Sequence, residues 1–244
     1  MNGRQPAGEM LGITDEPAVV AVVGCGGKTT FIESLARAYC RKKVLVSPTT
    51  KILPEVGRGV TLCKTLTECK AHLPQNGIQC LGLYNDTNGK LEALPPELLA
   101  EIAPQYDMVL LEADGSRGLP CKGWRPNEPV IPPFCTHTVG IITLNALGKP
   151  ADERYVLNLS EFLRLTGLPV GGIIHRQALE DMVCAEEGMF RNAVGRQCLF
   201  INQAEDEKTE AIAASWLREW REKMPNRFFR LAYGSARRSL WTEG

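Results

Sequence analysis

No long apolar run, no excess of either charge and no C-x-x-C pair occur in this 244-residue sequence, and each absence removes a class of function. Without an unbroken apolar stretch of about 18 residues, no bilayer-spanning helix and no membrane partner are expected. With 28 acidic and 28 basic side chains there is no bulk field to draw in nucleic acid or an anionic surface. Nine cysteines at irregular spacings argue against a disulfide framework and against a zinc ribbon. A reducing cytoplasm is the expected compartment, with most cysteines serving as small core hydrophobes. Internal repeats and low-complexity segments are also missing. Residues 1–17 carry acids, Gly and Pro, and are expected to form a flexible N-terminal segment that is neither signal peptide nor anchor.

What is present suffices for one sizeable core: 44% of the residues are hydrophobic, and residues 18–244 read as a single domain. That domain is organised around residues 18–30, AVVAVVGCGGKTT. Six small or β-branched apolar residues predict a strand buried on both faces. The run breaks into Gly24-Cys25-Gly26-Gly27, then Lys28-Thr29-Thr30, then a helical pattern with Phe31, Leu35 and Ala38 on one face. Strand, glycine loop, Lys-Thr and helix is the setting of a phosphate-binding loop. Glycines let successive backbone N–H groups turn toward phosphate oxygens, and the helix points its positive dipole end at the same anion. Lys28 is placed to reach the phosphates and Thr29 to hold Mg²⁺. The loop is a shortened form, because Val22 stands where the full pattern has its first glycine.

Further strands are expected at 43–47, 60–63, 107–112, 138–144, 197–202 and 227–233. Helices are expected at 30–41, 66–73, 95–102, 152–157, 160–166 (with Ser160 as N-cap) and 207–223. Asn88-Gly89 predicts a hairpin turn within 78–91, and residues 171–194 show no clear pattern. Strand–helix alternation implies an α/β fold, a mostly parallel sheet flanked by helices and of the P-loop nucleotide-binding kind. Ligands of such sheets bind beyond the carboxyl ends of the strands. That rule places Thr49, Thr50 and Lys51 near the glycine loop.

The strand at 107–112 ends in Glu112, followed by Ala113-Asp114-Gly115-Ser116-Arg117. An apolar strand running into acids is where nucleotide hydrolases keep the carboxylate that orients Mg²⁺ or the attacking water. Glu112 and Asp114 are therefore candidates for both roles. The proline-rich stretch at 119–134, within a candidate active-site loop at 115–135, excludes a helix interior or central strand. It brings Arg117, Cys121, Lys122, Trp124, Arg125 and Glu128. Arg117 or Lys122 is a candidate to neutralise charge developing in a transition state.

Asn202-Gln203-Ala204-Glu205 follows another strand, in the manner of the Asn-Lys-x-Asp tetrad by which GTPases read a guanine base. Gln stands here for Lys and Glu for Asp, so ATP and GTP both stay open. Cys25 in the loop and Cys121 in the proline-rich stretch are expected to face one pocket. A thiol at a helix N-terminus beside Lys28 would be the more reactive.

Taken together, VVGCGGKTT, SPTTK at 47–51, EADGSRGLPCKGW with NEPVIP, TLNALGKP at 143–150, GMFRNA at 188–193 and INQAE at 201–205 resemble the YqeC family. That resemblance implies a P-loop fold and a cytoplasmic accessory role in maturing a selenium-dependent molybdenum hydroxylase. Site residues assigned from the motifs themselves are Gly24, Cys25, Gly26, Gly27, Lys28, Thr29, Thr30 and Asn202 for the nucleotide. Thr29, Glu112 and Asp114 are assigned to Mg²⁺, and Lys28, Glu112, Asp114, Arg117 and Lys122 to the chemistry. The partners implied are a nucleotide and the hydroxylase or its molybdenum cofactor. Two functions follow: phosphoryl transfer or hydrolysis, or a nucleotide-gated chaperone or carrier.

Overall fold

The structure, a computed structural model, describes residues 7–13, 17–50, 65–71, 76–87 and 89–243. In chain order the strands are β1 (Ala18–Gly24), β2 (Lys43–Pro48), β3 (Gly77–Cys80), β4 (Leu83–Asn85), β5 (Lys90–Glu92), β6 (Met108–Glu112), β7 (Cys121–Lys122), β8 (His137–Thr143), β9 (Val156–Leu157), β10 (Arg196–Asn202), β11 (Arg230–Ser235) and β12 (Leu240–Glu243). The helices are α1 (Ala7–Met10), α2 (Lys28–Ala38), α3 (Leu66–Ala71), α4 (Pro96–Ile102), α5 (Leu159–Thr166), α6 (Arg176–Cys184) and α7 (Glu207–Lys223). Eight strands form one sheet in the order β12-β11-β10-β8-β1-β6-β2-β3, parallel throughout except for the antiparallel pair β11–β12. The expected α/β architecture with a mostly parallel, helix-flanked sheet is therefore present.

β1 lies between β6 and β8 and is buried along its whole length. Side-chain alternation splits its residues between two cores. Val19, Ala21 and Val23 join one side of the sheet with α4, α6 and α7; Ala18, Val20 and Val22 join the other with α2. After β1 the chain moves by way of α2 to β2, two places away, and β6 later fills the gap. From β6 it crosses to β8 on the far side of β1. The strand order thus reverses around β1, and the crevice at such a reversal is where open sheets bind ligands.

α2 is fixed by aromatic packing in its first turn. Phe31 meets Phe200 of β10 and Trp241 of β12 with ring centroids 5.3 and 4.8 Å away. Its buried face is Phe31, Ile32, Leu35 and Ala36, so the expected stripe holds at Phe31 and Leu35 while Ala38 faces solvent. Residues 7–13 of the segment set apart in the sequence pack here as well, with Leu11 and Ile13 buried. On the opposite face α7 opens with a capping box, Asp206 with Thr209, and buries Trp216 and Trp220 as expected.

Several local expectations are corrected. Residues 152–157 form a turn leading into β9, which pairs with β7, rather than a helix. The N-cap of α5 is Asn158, in left-handed backbone, and Ser160 instead donates to Glu161. β3 joins the main sheet parallel to β2, which leaves only β4–β5 as the hairpin. α6 and the edge strand β12 carried no clear sequence signal. The strand expected at 60–63, Lys51, Asn88 and residues 72–73 lie outside the described residues. Among the described residues no helix is long and apolar enough to cross a membrane.

Candidate functional site

The carboxyl ends of β1, β6, β2, β8 and β10 bring the candidate residues to one edge of the sheet. Gly24 ends β1, Glu112 ends the neighbouring β6 level with Val22, and Asp114 follows two residues later. The loop 24–27 turns through positive φ at Gly24, Gly26 and Gly27. At Gly26 a Cβ would run into the Thr143 side chain, and at Gly27 into the Asn202 amide, so the loop can lie this close to β8 and β10 only as glycine. Gly27 caps α2 without a side chain, and Phe31 donates back to its carbonyl over 2.9 Å. The N–H groups of Lys28, Thr29 and Thr30 therefore begin the helix with no acceptor one turn back, an arrangement suited to an anion.

Lys28 is buried and donates to the Gly24 carbonyl over 2.6 Å, with Asp114 Oδ1 3.2 Å away. Burial alone disfavours its charge, but the Asp114 and Glu112 carboxylates outweigh that and lift its pKa above the ordinary lysine value. Thr29 donates its hydroxyl to Glu112 Oε2 over 3.1 Å. Each acid is thus matched to one residue of the Lys-Thr pair.

Asp114 is fully buried and forms the hub. Gly24 N–H donates to both of its oxygens, over 3.2 and 3.0 Å, and the Trp124 indole N–H reaches Oδ2 over 2.7 Å. Lys122 Nζ stands 3.5 Å from the same oxygen. Lys122 is itself fully buried, donating to the Gly115 carbonyl over 2.9 Å and to Glu128 Oε2 over 3.3 Å, with the Trp124 ring beneath it. Two hydrogen bonds and the ion pair with Asp114 thus surround its ammonium. Two lysines and two carboxylates, Asp114 and Glu128, so make a compensated cluster, whose buried members cannot be removed singly without leaving a charge short of its partner.

Not every candidate converges. Gly24 spends its N–H on Asp114 and Cys25 spends its own on the Ile141 carbonyl, so the backbone donors of the loop begin at Gly26. Arg117 is exposed, in left-handed backbone at φ +52°, and makes no ion pair or side-chain hydrogen bond among the described residues. Thr49 is spent on the chain, donating its N–H to the Glu112 carbonyl and its hydroxyl to the Val130 carbonyl. The Thr50 hydroxyl is buried at the same edge with no partner among the described residues. The proline-rich stretch is a packed wall rather than an overhanging loop: Val130 N–H bonds the Ala113 carbonyl, and Asn158 and Asn192 hold the carbonyls of Gly123 and Pro129.

Cys25 and Cys121 do meet, but in the interior. Both are fully buried, and a hydrogen bond between the two thiols, followed by burial, pushes the Cys121 thiol well above its ordinary pKa. The two thiols thus face each other rather than an open pocket, and the neighbourhood of Cys121 favours its protonated form.

Asn202 holds the loop from β10. Its Nδ2 donates to the Gly26 carbonyl over 2.8 Å, while its Oδ1 accepts from the N–H groups of Gln203 and Ala236. Thr143, whose hydroxyl bonds Gln203, was not singled out in the sequence, nor were Ser235 and Ala236. Only their position at the carboxyl ends of neighbouring strands, the same rule that picked Thr49, was available to find them.

The sequence profile described as YqeC protein matches residues 20–160, more than half of the chain, and spans the glycine loop, both acids and the proline-rich wall. The chain belongs to the YqeC family. A relative from Escherichia coli (strain K12), named "Uncharacterized protein YqeC", is 29% identical over 205 residues, covering 79% of this chain and 78% of the relative. The YqeC profile ends before Asn202, so the clamp on Gly26 comes from beyond the matched region.

Proposed function

We propose that this YqeC protein binds a Mg²⁺–nucleotide, ATP or GTP, at residues 24–30, and acts by hydrolysis or phosphoryl transfer. Its role would be that of a cytoplasmic accessory protein in maturing a selenium-dependent molybdenum hydroxylase. The observation that carries the nucleotide reading is the double pairing of Lys28 with Asp114 and Thr29 with Glu112, at the open ends of adjacent parallel strands. The hydroxylase role rests on the family resemblance.

The donor set fits the proposed ligands. Thr29 and Glu112 offer hard oxygens at one point. Among the described residues no cluster of three or more His, Cys, Asp or Glu is arranged to hold a metal. Mg²⁺ does not require one, since it completes its shell with phosphate oxygens and water. Thr29 and Glu112 would hold the ion, whose charge would offset that of the phosphates. The uncapped N–H groups of Lys28, Thr29 and Thr30 would bind phosphate oxygens together with those of Gly26 and Gly27, and Lys28 would add a point charge. Asp114 acts on this reading as a positioning residue. It holds Lys28 and the Gly24 turn, and its oxygens are already engaged from both sides, which leaves the metal to Glu112.

The nucleotide-gated carrier has one observation in its favour. Asp114 and Lys122, two of the groups expected to do chemistry, are committed to each other and to the wall. Turnover separates the two. Phosphate release from ATP or GTP by the purified chain with Mg²⁺ supports the enzyme; tight nucleotide binding with negligible release supports the carrier.

A further inference from the structure

Next to the glycine loop, the ends of β10 and β11 build a second group of contacts. Asn202 reaches the Gly26 carbonyl with one end of its amide and the Ala236 N–H, over 3.0 Å, with the other. Ser235, the preceding residue, is fully buried and donates its hydroxyl to Glu205 Oε1 over 2.7 Å. An unbroken line of contacts therefore runs from the glycine loop through Asn202 and the Ser235-Ala236 pair to the Glu205 carboxylate. The other oxygen, Oε2, has among the described residues only Arg238 beside it, at 3.9 Å, beyond hydrogen-bond length; that arm, 55% exposed, donates over 2.9 Å to the Glu205 backbone carbonyl instead. The Glu205 side chain is 36% exposed. One oxygen is thus anchored and the other is open.

We infer that Glu205 reads the base and that the nucleotide is a guanine nucleotide; this rests on the phosphate-loop reading above. An ionised carboxylate only accepts hydrogen bonds. Guanine offers it two adjacent donors, the ring N1–H and the exocyclic N2 amine, whereas adenine presents an unprotonated N1 and a C–H at the same edge. Adenine would set lone pair against lone pair, and a site built for donors rejects a partner that lacks them. Glutamate is one methylene longer than the aspartate of the GTPase tetrad, and the Ser235 bond draws it back against β11. Gln203, in place of the usual lysine, is turned away through left-handed backbone at φ +65° and bonds Thr143, which leaves recognition to Glu205.

The test is calorimetric titration of the purified full-length chain with Mg²⁺ and GDP, IDP, ADP or XDP. The native chain is expected to bind GDP at least about tenfold more tightly than ADP, with IDP, which lacks the N2 amine, between them. Glu205→Gln presents an amide N–H and should lose GDP affinity while gaining XDP, whose C2 carbonyl accepts. Ser235→Ala should weaken GDP but leave ADP unchanged. Equal GDP and ADP affinity, or a Glu205→Gln chain with the native ranking, overturns the guanine inference while Lys28-dependent binding keeps the phosphate loop. If no nucleotide binds the folded native chain, both readings fall together.

Discussion

Trp124 donates its indole N–H to Asp114 over 2.7 Å, from a stretch whose prolines keep it out of the sheet. The bond ties the wall at 119–134 to the acid that holds Lys28, beside the ion pair that Lys122 of the same segment makes with that acid. Trp124→Phe keeps the ring and removes the donor. It is expected to cost about 1.5–3 kcal/mol, the range for a hydrogen bond to a charged group, read as a lowered urea midpoint at unchanged slope. An unaltered midpoint would show that the bond does not hold the cluster.

The two acids should separate by what they lose. Asp114→Asn leaves Lys28 and Lys122 buried without their shared counter-charge and should destabilise the fold by about 3–5 kcal/mol. Glu112→Gln, a buried strand-end residue that accepts from the Thr29 hydroxyl, should cost less, about 1–3 kcal/mol, yet abolish the Mg²⁺ dependence of nucleotide binding. Paired urea melts and titrations with and without Mg²⁺ measure both. Equal destabilisation, or a Glu112→Gln chain that keeps its Mg²⁺ response, would contradict this division.

Much of this site was legible because parallel sheets put function at strand ends. Lys28, Thr29, Glu112 and Asp114 each sit where an apolar run stops. Asn202 stands in the tetrad at the place of the residue that supports the loop, and it does hold the loop, although the partners it uses, Gly26 and Ala236, are far away in sequence. Lys122 looked available and is buried, because nothing local shows that Gly115, Glu128 and Asp114 converge on it. The edge strand β12 and the helix α6 were illegible for a different reason. β12 pairs only with β11, and α6 lacks a clean apolar period because its charged residues also pack, Arg176 pairing with Glu180 and Glu219.

The thiols give a contrasting expectation. Cys40 is exposed, whereas Cys25 and Cys121 are buried against each other. Brief alkylation of the folded chain should label Cys40 ahead of Cys25 and Cys121, which it should reach only as the chain unfolds. Mass spectrometry showing Cys25 or Cys121 labelled as fast as Cys40 would contradict the buried pairing.

Stability should also fall at alkaline pH. Lys28 and Cys121 both hold their protons more tightly folded than unfolded, and Cys80, Cys135 and Cys198 are pushed up to about 12 by burial. The folded chain then binds more protons once pH passes the ordinary thiol value of 9.0 and lysine value of 10.5. The stability tied to these groups is complete below those values and is lost as pH rises through the folded ones. Urea midpoints should therefore begin to drop above about pH 9 and go on dropping toward about pH 12; a flat or rising profile would refute the assignment.

Loss of nucleotide binding on removing one ammonium is the most direct measurement of all. Mg²⁺ with GDP or ADP is titrated calorimetrically into the native chain and into Lys28→Ala, with circular dichroism confirming that the variant is folded. A phosphate loop at residues 24–30 predicts binding by the native chain and an affinity at least about 10²-fold lower in the variant, as expected when a buried charged contact is lost. Undiminished affinity in a folded Lys28→Ala chain would contradict it.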